Sequence, residues 1–276
     1  MSSTQIARVR VVIGVSPGCG AFRTAVDLAR YISTALRAVG GQVAHDDTVG
    51  VTTSIPLLHG TLQAAGARNL VAKVGKIGRR LDRLFEDAMG LLNAWGVRRD
   101  RFPLRMSQIT PLGDGEVSGA QELYSANQTF RDVIDRHSRV GVNAARASLT
   151  NNQPLTNEEW GDVRPGAVKY LLHEMDHFNG TLREHARDAG AARVLFVYHG
   201  DVGWLNGFPT GVYGEADWAI PYDEVGYQWL SVPSSMWTSH AVFRGQSMEN
   251  DSVRTLASGP RRASASTPEP APQEYT

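Results

Sequence analysis

The chain has 276 residues, of which 42% are hydrophobic and 20% are charged, a composition typical of a globular protein with one or two cores. Its 28 basic and 28 acidic residues balance, so we predict no broad electrostatic field, no nucleic-acid partner and no membrane partner. The single cysteine, Cys19, excludes an intramolecular disulfide framework. The first residues lack the organisation of a secretory signal and no apolar run has membrane-spanning length, so we expect a cytoplasmic protein.

The first elements in chain order are a strand and two helices. The stretch "VRVVIGV", residues 9–15, is rich in β-branched residues and is followed by a Ser-Pro-Gly turn, which predicts a buried strand. Apolar residues at helical spacing over residues 26–39 predict a helix that ends at Gly40-Gly41. A second helix is predicted from about 77 to 95. Residues 42–75 show no clear pattern.

The second half of the chain predicts shorter elements. Two short strands are expected at 130–134 and 140–144. Pro165 suits a first helical turn and predicts a helix that ends near residue 179. The stretch "ARVLFVYHG" predicts another strand, with His199 at its exposed end. Residues 258–276 are rich in Pro, Ser and Ala and are predicted to be a disordered tail.

The predicted helix contains the pattern His-Glu-x-x-His at His173, Glu174 and His177, within "YLLHEMDHFNGTL". Residues four apart project from the same face of a helix, so the two imidazoles can bind one ion. Neutral imidazole is a good ligand for zinc, iron or nickel, and a neighbouring carboxylate can take the proton of metal-bound water. The pattern therefore predicts a catalytic metal site.

The same stretch resembles the peptide deformylase family, whose long helix ends in His-Glu-x-Asp-His-Leu-x-Gly. Upstream, "QELYSANQTFRDVIDRHSRVGVNA" can be laid without gaps on the segment of that family that carries its metal-binding cysteine. The resemblance implies an α+β fold with mixed antiparallel sheets packed around a central metal-binding helix, formed by residues 1–257. Besides His173, Glu174 and His177, the residues of this stretch that fit the family are Asp176, Asn179, Gly180, Thr181 and Leu182.

The resemblance also implies an activity, the removal of a formyl or small acyl group from an amide by metal-activated water. The substrate would be a formylated peptide or a small-molecule amide, and the ion Fe²⁺, Zn²⁺ or Ni²⁺. His173 and His177 would bind the ion, Glu174 would carry the proton, and the main-chain N–H of Ser125 would hold the oxyanion. Tyr124 stands where the family has its cysteine and is the expected third ligand; other candidates are Glu122, Asp114, Glu116 and Cys19.

Two alternatives belong to other classes. A catalytically inactive deformylase-like protein with a binding or regulatory role would explain the missing cysteine. A zinc metallopeptidase would explain His-Glu-x-x-His followed by Gly180, but that pattern requires a histidine where this chain has Arg183. A guanidinium cannot bind a metal ion, so the metallopeptidase is less favoured.

Overall fold

The computed structural model describes residues 8–16, 22–40, 48–53, 58–97, 106–108, 119–149, 153–177, 191–200, 203–207, 212–214 and 226–238. The predicted tail, residues 258–276, lies outside these residues, and so do the candidate ligands Cys19, Asp114 and Glu116. Arg183, which disfavours the metallopeptidase, also lies outside them. Within the described part of the chain, no helix combines the length and the apolar character needed to cross a membrane.

Five parallel strands form one sheet. They are β1 (Arg8–Gly14), β2 (Thr48–Thr53), β3 (Met106–Gln108), β4 (Ala191–Tyr198) and β5 (Gly226–Ser231). Their spatial order is β3-β2-β1-β4-β5, and every neighbouring pair is parallel. The predicted mixed antiparallel sheets are therefore wrong. The runs "VRVVIGV" and "ARVLFVY" are almost continuously apolar, which is typical of parallel strands covered on both faces.

Eight helices in the described residues connect or cover these strands. They are α1 (Ala25–Val39), α2 (Leu58–Ala64), α3 (Leu70–Ala94), α4 (Gly119–Ala126), α5 (Gln128–Leu149), α6 (Asn157–Ala167), α7 (Lys169–Asp176) and α8 (Ser235–Thr238), with a short 3₁₀ helix at Gly203–Gly207. The predicted strand at the start of the chain and the helix that follows it are confirmed as β1 and α1.

The two faces of the sheet contribute to two separate cores. Val11 and Ile13 pack with residues of α1, α3 and α8 on one face, whereas Val12 packs with residues of α2 and of α4 to α7 on the other. Residues of β4 alternate in the same way, because successive side chains of a strand point to opposite faces. The structure is thus an α/β sandwich with helices on both sides.

Two predictions in the middle of the chain are wrong in detail. The two short strands expected within 130–144 form part of the single helix α5. Its buried residues recur every fourth position, a helical period: Phe130, Ile134, Ser138 and Val142. The helix expected from Pro165 instead begins at Asn157, where the Thr156 hydroxyl accepts from the Glu159 N–H (3.2 Å) in a capping box. Pro165 lies in the last turn of α6, and α7 follows separately.

Candidate active site

The strand order reverses between β1 and β4, and in open parallel sheets a crevice forms at such a point. The chain leaves β1 toward β2 and β3 on one side, and later adds β4 and β5 on the other. In open parallel sheets, ligands bind at the carboxyl ends of the strands where the order reverses in this way. Ser16 follows the end of β1 and His199 follows the end of β4. These two residues therefore lie at the position where the fold favours a site.

Ser16 is half-buried, and its main-chain N–H donates a hydrogen bond to Nε2 of His199 (3.4 Å). Gly14, two residues earlier, is paired with Tyr198 in the sheet. A Cβ at Gly14 would lie 2.8 Å from Cζ of Phe196 and 2.9 Å from Cδ2 of Tyr198, too close for any side chain. The glycine thus lets two aromatic rings lie against β1 next to Ser16.

His199 lies in an aromatic environment on the α1 side of the sheet. Its ring centroid is 4.9 Å from that of Phe22, edge to face, and 5.9 Å from that of Tyr31. Burial lowers the pKa of His199 from 6.5 to about 4, so the imidazole is neutral at pH 7. Because Nε2 accepts a hydrogen bond from Ser16, the single ring proton resides on Nδ1.

Helix α7 lies on the face of the sheet opposite α1, where Leu172 and Met175 are buried in the core that contains Val12 and Phe196. Gly166, in the last turn of α6 just before α7, packs so closely on Gly60 that its carbonyl oxygen would collide with a Cβ there. Gly60 is in the first turn of α2, which follows the carboxyl end of β2 after four residues. Tyr170 packs against the same core, and Glu174, four residues on, shares its side of the helix.

The residues predicted to bind a metal are only partly brought together. His173 and Glu174 lie in α7 and His177 directly follows it. Burial lowers the pKa of His173. Among the described side chains, no group of three or more His, Cys, Asp or Glu residues could hold a metal ion. The predicted Fe²⁺, Zn²⁺ or Ni²⁺ cofactor is therefore wrong.

Tyr124, the predicted third ligand, has other partners. Its helix α4 does contact α7, since the Ala120 N–H donates to Oδ1 of Asp176 (2.9 Å). The Tyr124 hydroxyl, however, donates to Oδ1 of Asp135 (2.6 Å) and accepts from Nε of Arg164 (2.8 Å). Burial, together with the Asp135 hydrogen bond, raises the pKa of Tyr124 to about 12. The phenolate that a metal ion requires is thus disfavoured.

Ser125, the predicted oxyanion donor, lies within α4 on its exposed side. Its hydroxyl donates to the carbonyl oxygen of Gln121 (2.9 Å). Inside a helix, main-chain N–H groups point toward the carbonyl four residues earlier rather than toward a ligand. Glu122, another ligand candidate, is also exposed on this helix.

We expect the Tyr124 hydroxyl to stabilise the packing of α4, α5 and α6. Replacing Tyr124 with phenylalanine removes both of its hydrogen bonds but leaves Arg164 Nε and Asp135 Oδ1 in contact at 3.1 Å. The free energy of unfolding, measured by urea denaturation, should fall by about 1–2 kcal/mol. The control Ser125→Ala removes an exposed hydroxyl and should change it by less than about 0.5 kcal/mol. Equal stabilities of the Tyr124→Phe variant and wild type would contradict this role.

Comparison with known proteins identifies a shared architecture. No protein-family model matches the sequence, and no curated protein matches it either. Solved structures of other proteins do match it. AlbC, a cyclodipeptide synthase from Streptomyces noursei, matches with a TM-score of 0.52 and 15% identity over 84% of this chain and 98% of its own. The chain has the cyclodipeptide synthase fold. A cyclodipeptide synthase from Bacillus thermoamylovorans matches with a TM-score of 0.53 and 16% identity over 80% of this chain and 87% of its own. The CDPS from Staphylococcus haemolyticus matches with a TM-score of 0.52 and 14% identity over 80% of this chain and 89% of its own.

This likeness corrects the predicted family. The structures that share the fold are cyclodipeptide synthases and not peptide deformylases, so membership of the deformylase family and metal-dependent deformylation are both wrong. The exclusion of a nucleic-acid partner, which rested on the balance of charges, is likewise contradicted by this likeness. The pattern His-Glu-x-x-His fixes only three residues, and a helix can contain it without any metal.

The sequence interpretation missed two residues at the crevice. Ser16 was predicted only to be part of a turn, because its position at the carboxyl end of a parallel strand is not apparent before the sheet is known. His199 was predicted to be an exposed strand end. It is instead covered by Phe22, Tyr31 and Tyr198, and nothing local in the sequence indicates that covering.

Proposed function

We propose that this protein is an enzyme that joins two amino acids, delivered as aminoacyl-tRNAs, into a cyclic dipeptide. The observation that carries the proposal is the position of Ser16 at the carboxyl end of β1, where the strand order reverses, in a fold that cyclodipeptide synthases share over more than four-fifths of the chain. The fold likeness supports the reaction class, and the position of Ser16 supports a covalent route.

Ser16 acts as the nucleophile in the first half of the reaction. The amino acid of an aminoacyl-tRNA is held by an ester, which is already activated for acyl transfer. The Ser16 hydroxyl attacks the ester carbonyl, the bond to the tRNA ribose breaks, and the ribose oxygen takes up a proton as it leaves. The amino acid is then an ester of Ser16, and the first tRNA is free.

The second half forms both amide bonds. The amine of a second aminoacyl-tRNA attacks the Ser16 ester, which makes a dipeptide on that tRNA and returns the proton to Ser16 Oγ. The free amine of the dipeptide then attacks the remaining ester, closes the ring and releases the second tRNA. Two ester bonds are broken and two amide bonds are formed, so the reaction balances with no further reactant.

Glu174 carries the proton of the attacking amine. An amino group is protonated in water near pH 7 and must lose a proton before it can attack a carbonyl. Glu174 is half-buried in α7 and shares a side of the helix with Tyr170, which packs against the core beneath the crevice. Helix α7 packs on the face of the sheet toward which Val12 points, and alternation along β1 assigns Ser16 to that face, which supports this role.

A basic surface of α3, here called the α3 basic face, binds tRNA. The first fourteen residues of helix α3 contain five basic side chains and one acidic side chain. At the spacing of a helix, the five basic residues occupy about a third of the circumference, opposite the buried Leu81 and Leu92. They are Lys73, Lys76, Arg79, Arg80 and Arg83. Such a surface neutralises backbone phosphates without requiring a particular base sequence.

The α3 basic face adjoins the crevice through Arg80. The Arg80 guanidinium donates to the carbonyl oxygens of Phe22 (3.3 Å) and Arg23 (3.4 Å). Phe22 in turn packs edge to face on His199, which holds the N–H of Ser16. A tRNA held on α3 can therefore bring its acceptor end to the nucleophile.

The proposal is tested with the purified protein and total tRNA charged with a mixture of radiolabelled amino acids. We expect cyclic dipeptides, identified by mass spectrometry, and a transient label on the protein that survives acid precipitation. AlbC serves as the positive control. Absence of both product and labelled protein for all twenty charged amino acids, while AlbC forms its product, would reject the proposal.

A further inference from the structure

Helix α7, which carries Glu174, is held at its carboxyl end by helix α4. Oδ1 of Asp176, the last residue of α7, accepts a hydrogen bond from the main-chain N–H of Ala120 (2.9 Å). Ala120 is the second residue of α4 and is fully buried. The N–H groups in the first turn of a helix have no acceptor within that helix. Asp176 therefore caps α4 from outside and joins the two helices.

The charge of Asp176 suits α4 and does not suit its own helix. The C-terminus of a helix carries a partial negative charge, so a carboxylate in the last turn of α7 is unfavourable for that helix. The N-terminus of α4 carries a partial positive charge, and a hydrogen bond from a main-chain N–H to a carboxylate is a strong one. The contact with α4, and not the stability of α7, therefore explains an aspartate at this position.

Helix α4 is itself held at its other end by α5 and α6. Nε of Arg131, a residue of α5, donates to the carbonyl oxygen of Tyr124 (2.9 Å), and its Nη2 donates to that of Ser125. The Tyr124 hydroxyl is bonded to Asp135 of α5 and Arg164 of α6. Because α4 is held by two other helices, it provides a fixed support for the end of α7.

Asp176 and Glu174 project from nearly opposite sides of α7. Successive residues of an α-helix are rotated by about 100°, so two residues that are two positions apart differ by about 200°. Leu172, one turn before Asp176, is buried in the core that also contains Ala120. Helix α7 has only eight residues and moves as a rigid unit. Any rotation of α7 on the side of Asp176 therefore redirects the carboxylate of Glu174.

We propose that Asp176 is a positioning residue for Glu174: by holding the N–H of Ala120 it fixes the rotation of α7 about its axis and so the direction of the Glu174 carboxylate. This inference rests on the proposed role of Glu174 as acceptor of the amine proton. The first half of the reaction, acyl transfer to Ser16, does not use that carboxylate. Loss of the contact should therefore slow the second half and leave the first half unchanged.

Two substitutions separate the hydrogen bond from the charge, and a third is the control. Asp176→Ala removes the acceptor and the charge. Asp176→Asn removes the charge but keeps Oδ1 within reach of the Ala120 N–H. Tyr124→Phe weakens the packing of the same helix, α4, without touching the contact between Asp176 and Ala120.

The measurements are the rate at which label transfers from charged total tRNA to the protein and the rate at which cyclic dipeptide forms, with thermal unfolding recorded for each variant. Asp176→Ala should lower the rate of product formation about 10- to 100-fold, because a group displaced by about 1 Å loses a factor of that size. Its rate of label transfer should stay near that of wild type. Asp176→Asn should recover most of the loss, and Tyr124→Phe should keep the wild-type ratio of the two rates.

A loss of stability alone would lower both rates of Asp176→Ala in the same proportion, and that result would overturn the inference. An asparagine variant as slow as the alanine variant would also overturn it, because the charge and not the hydrogen bond would then matter.

A second readout does not depend on activity. Hydrogen exchange of the Ala120 amide, followed by NMR, should be protected in wild type and in Asp176→Asn, and about 10-fold or more faster in Asp176→Ala. Rapid exchange of this amide in wild type would show that Asp176 does not hold it and would overturn the inference even if Asp176→Ala fails to fold. If wild type takes no label from tRNA, the proposed function is wrong and so is this role of Asp176, although the exchange data can still confirm the contact.

Discussion

Ser16→Ala should abolish both the labelled protein and the cyclic dipeptide, with a loss of at least about 10³-fold in rate, because it removes the hydroxyl proposed to form the ester intermediate. The side chain is half-buried and alanine is smaller than serine, so the fold should be retained. Label transfer and product formation are measured with charged total tRNA, and thermal unfolding reports folding. The matched control is Ser148→Ala, an exposed serine in α5, which should behave as wild type.

Glu174→Gln, assayed beside Ser16→Ala, separates the two halves of the reaction. Glutamine cannot accept the proton of the attacking amine, so product formation should fall about 10²-fold or more while label accumulates on Ser16. Undiminished product from the Ser16→Ala protein would remove the covalent route. Loss of label, rather than its accumulation, in the Glu174→Gln protein would place Glu174 in the first half instead.

The second large effect is expected from the α3 basic face. A variant with Lys76→Gln, Arg79→Gln and Arg83→Gln removes three exposed positive charges. Arg80 is left in place because it also contacts the carbonyl oxygen of Phe22. Affinity for tRNA, measured by fluorescence anisotropy from 50 to 300 mM salt, should fall about 10- to 100-fold at the lowest salt. The slope of log K against log salt should become shallower by about 2 to 3.

The same helix supplies the control for this variant. Asp82→Asn, Glu86→Gln and Asp87→Asn change three exposed acidic residues of α3 and should leave tRNA affinity equal or slightly higher. Equal salt slopes for the basic variant and wild type would show that tRNA contacts a different surface. The overall balance of 28 basic and 28 acidic residues hid this face, because a net charge does not show how the charges are distributed.

Local patterns predicted the elements that depend on local sequence. β1 and α1 were found because β-branched content and apolar spacing act within a few residues of one another. Residues 130–144 were misassigned because Val and Ile suggested strands, although the buried positions recur every fourth residue as in a helix. The parallel pairing of β1 with β4 joins segments far apart in sequence, and no local pattern specifies it.

In the candidate site, too, some features follow from local sequence and others depend on contacts between distant segments. His173 and His177 are four residues apart, and that spacing could be read directly. Whether a third ligand joins them depends on tertiary contacts, and the partners of Tyr124 are Asp135 and Arg164, which no motif marks. The position of Ser16 where the strand order reverses depends on the order of the strands, which no local pattern specifies. The predicted domain boundary at residue 257 stays a prediction.

The hydrogen bond between Ser16 and His199 joins positions 183 residues apart. A ribosome adds about 5–20 residues per second, so a growing chain carries Ser16 for about 10–40 s before His199 is made. During this interval β1 lacks its neighbour β4, and the crevice between the two strands does not exist. The site proposed to take charged tRNAs thus forms only after β4 has been synthesised. On the proposed function, a nascent chain that has not yet reached β4 consumes no aminoacyl-tRNA.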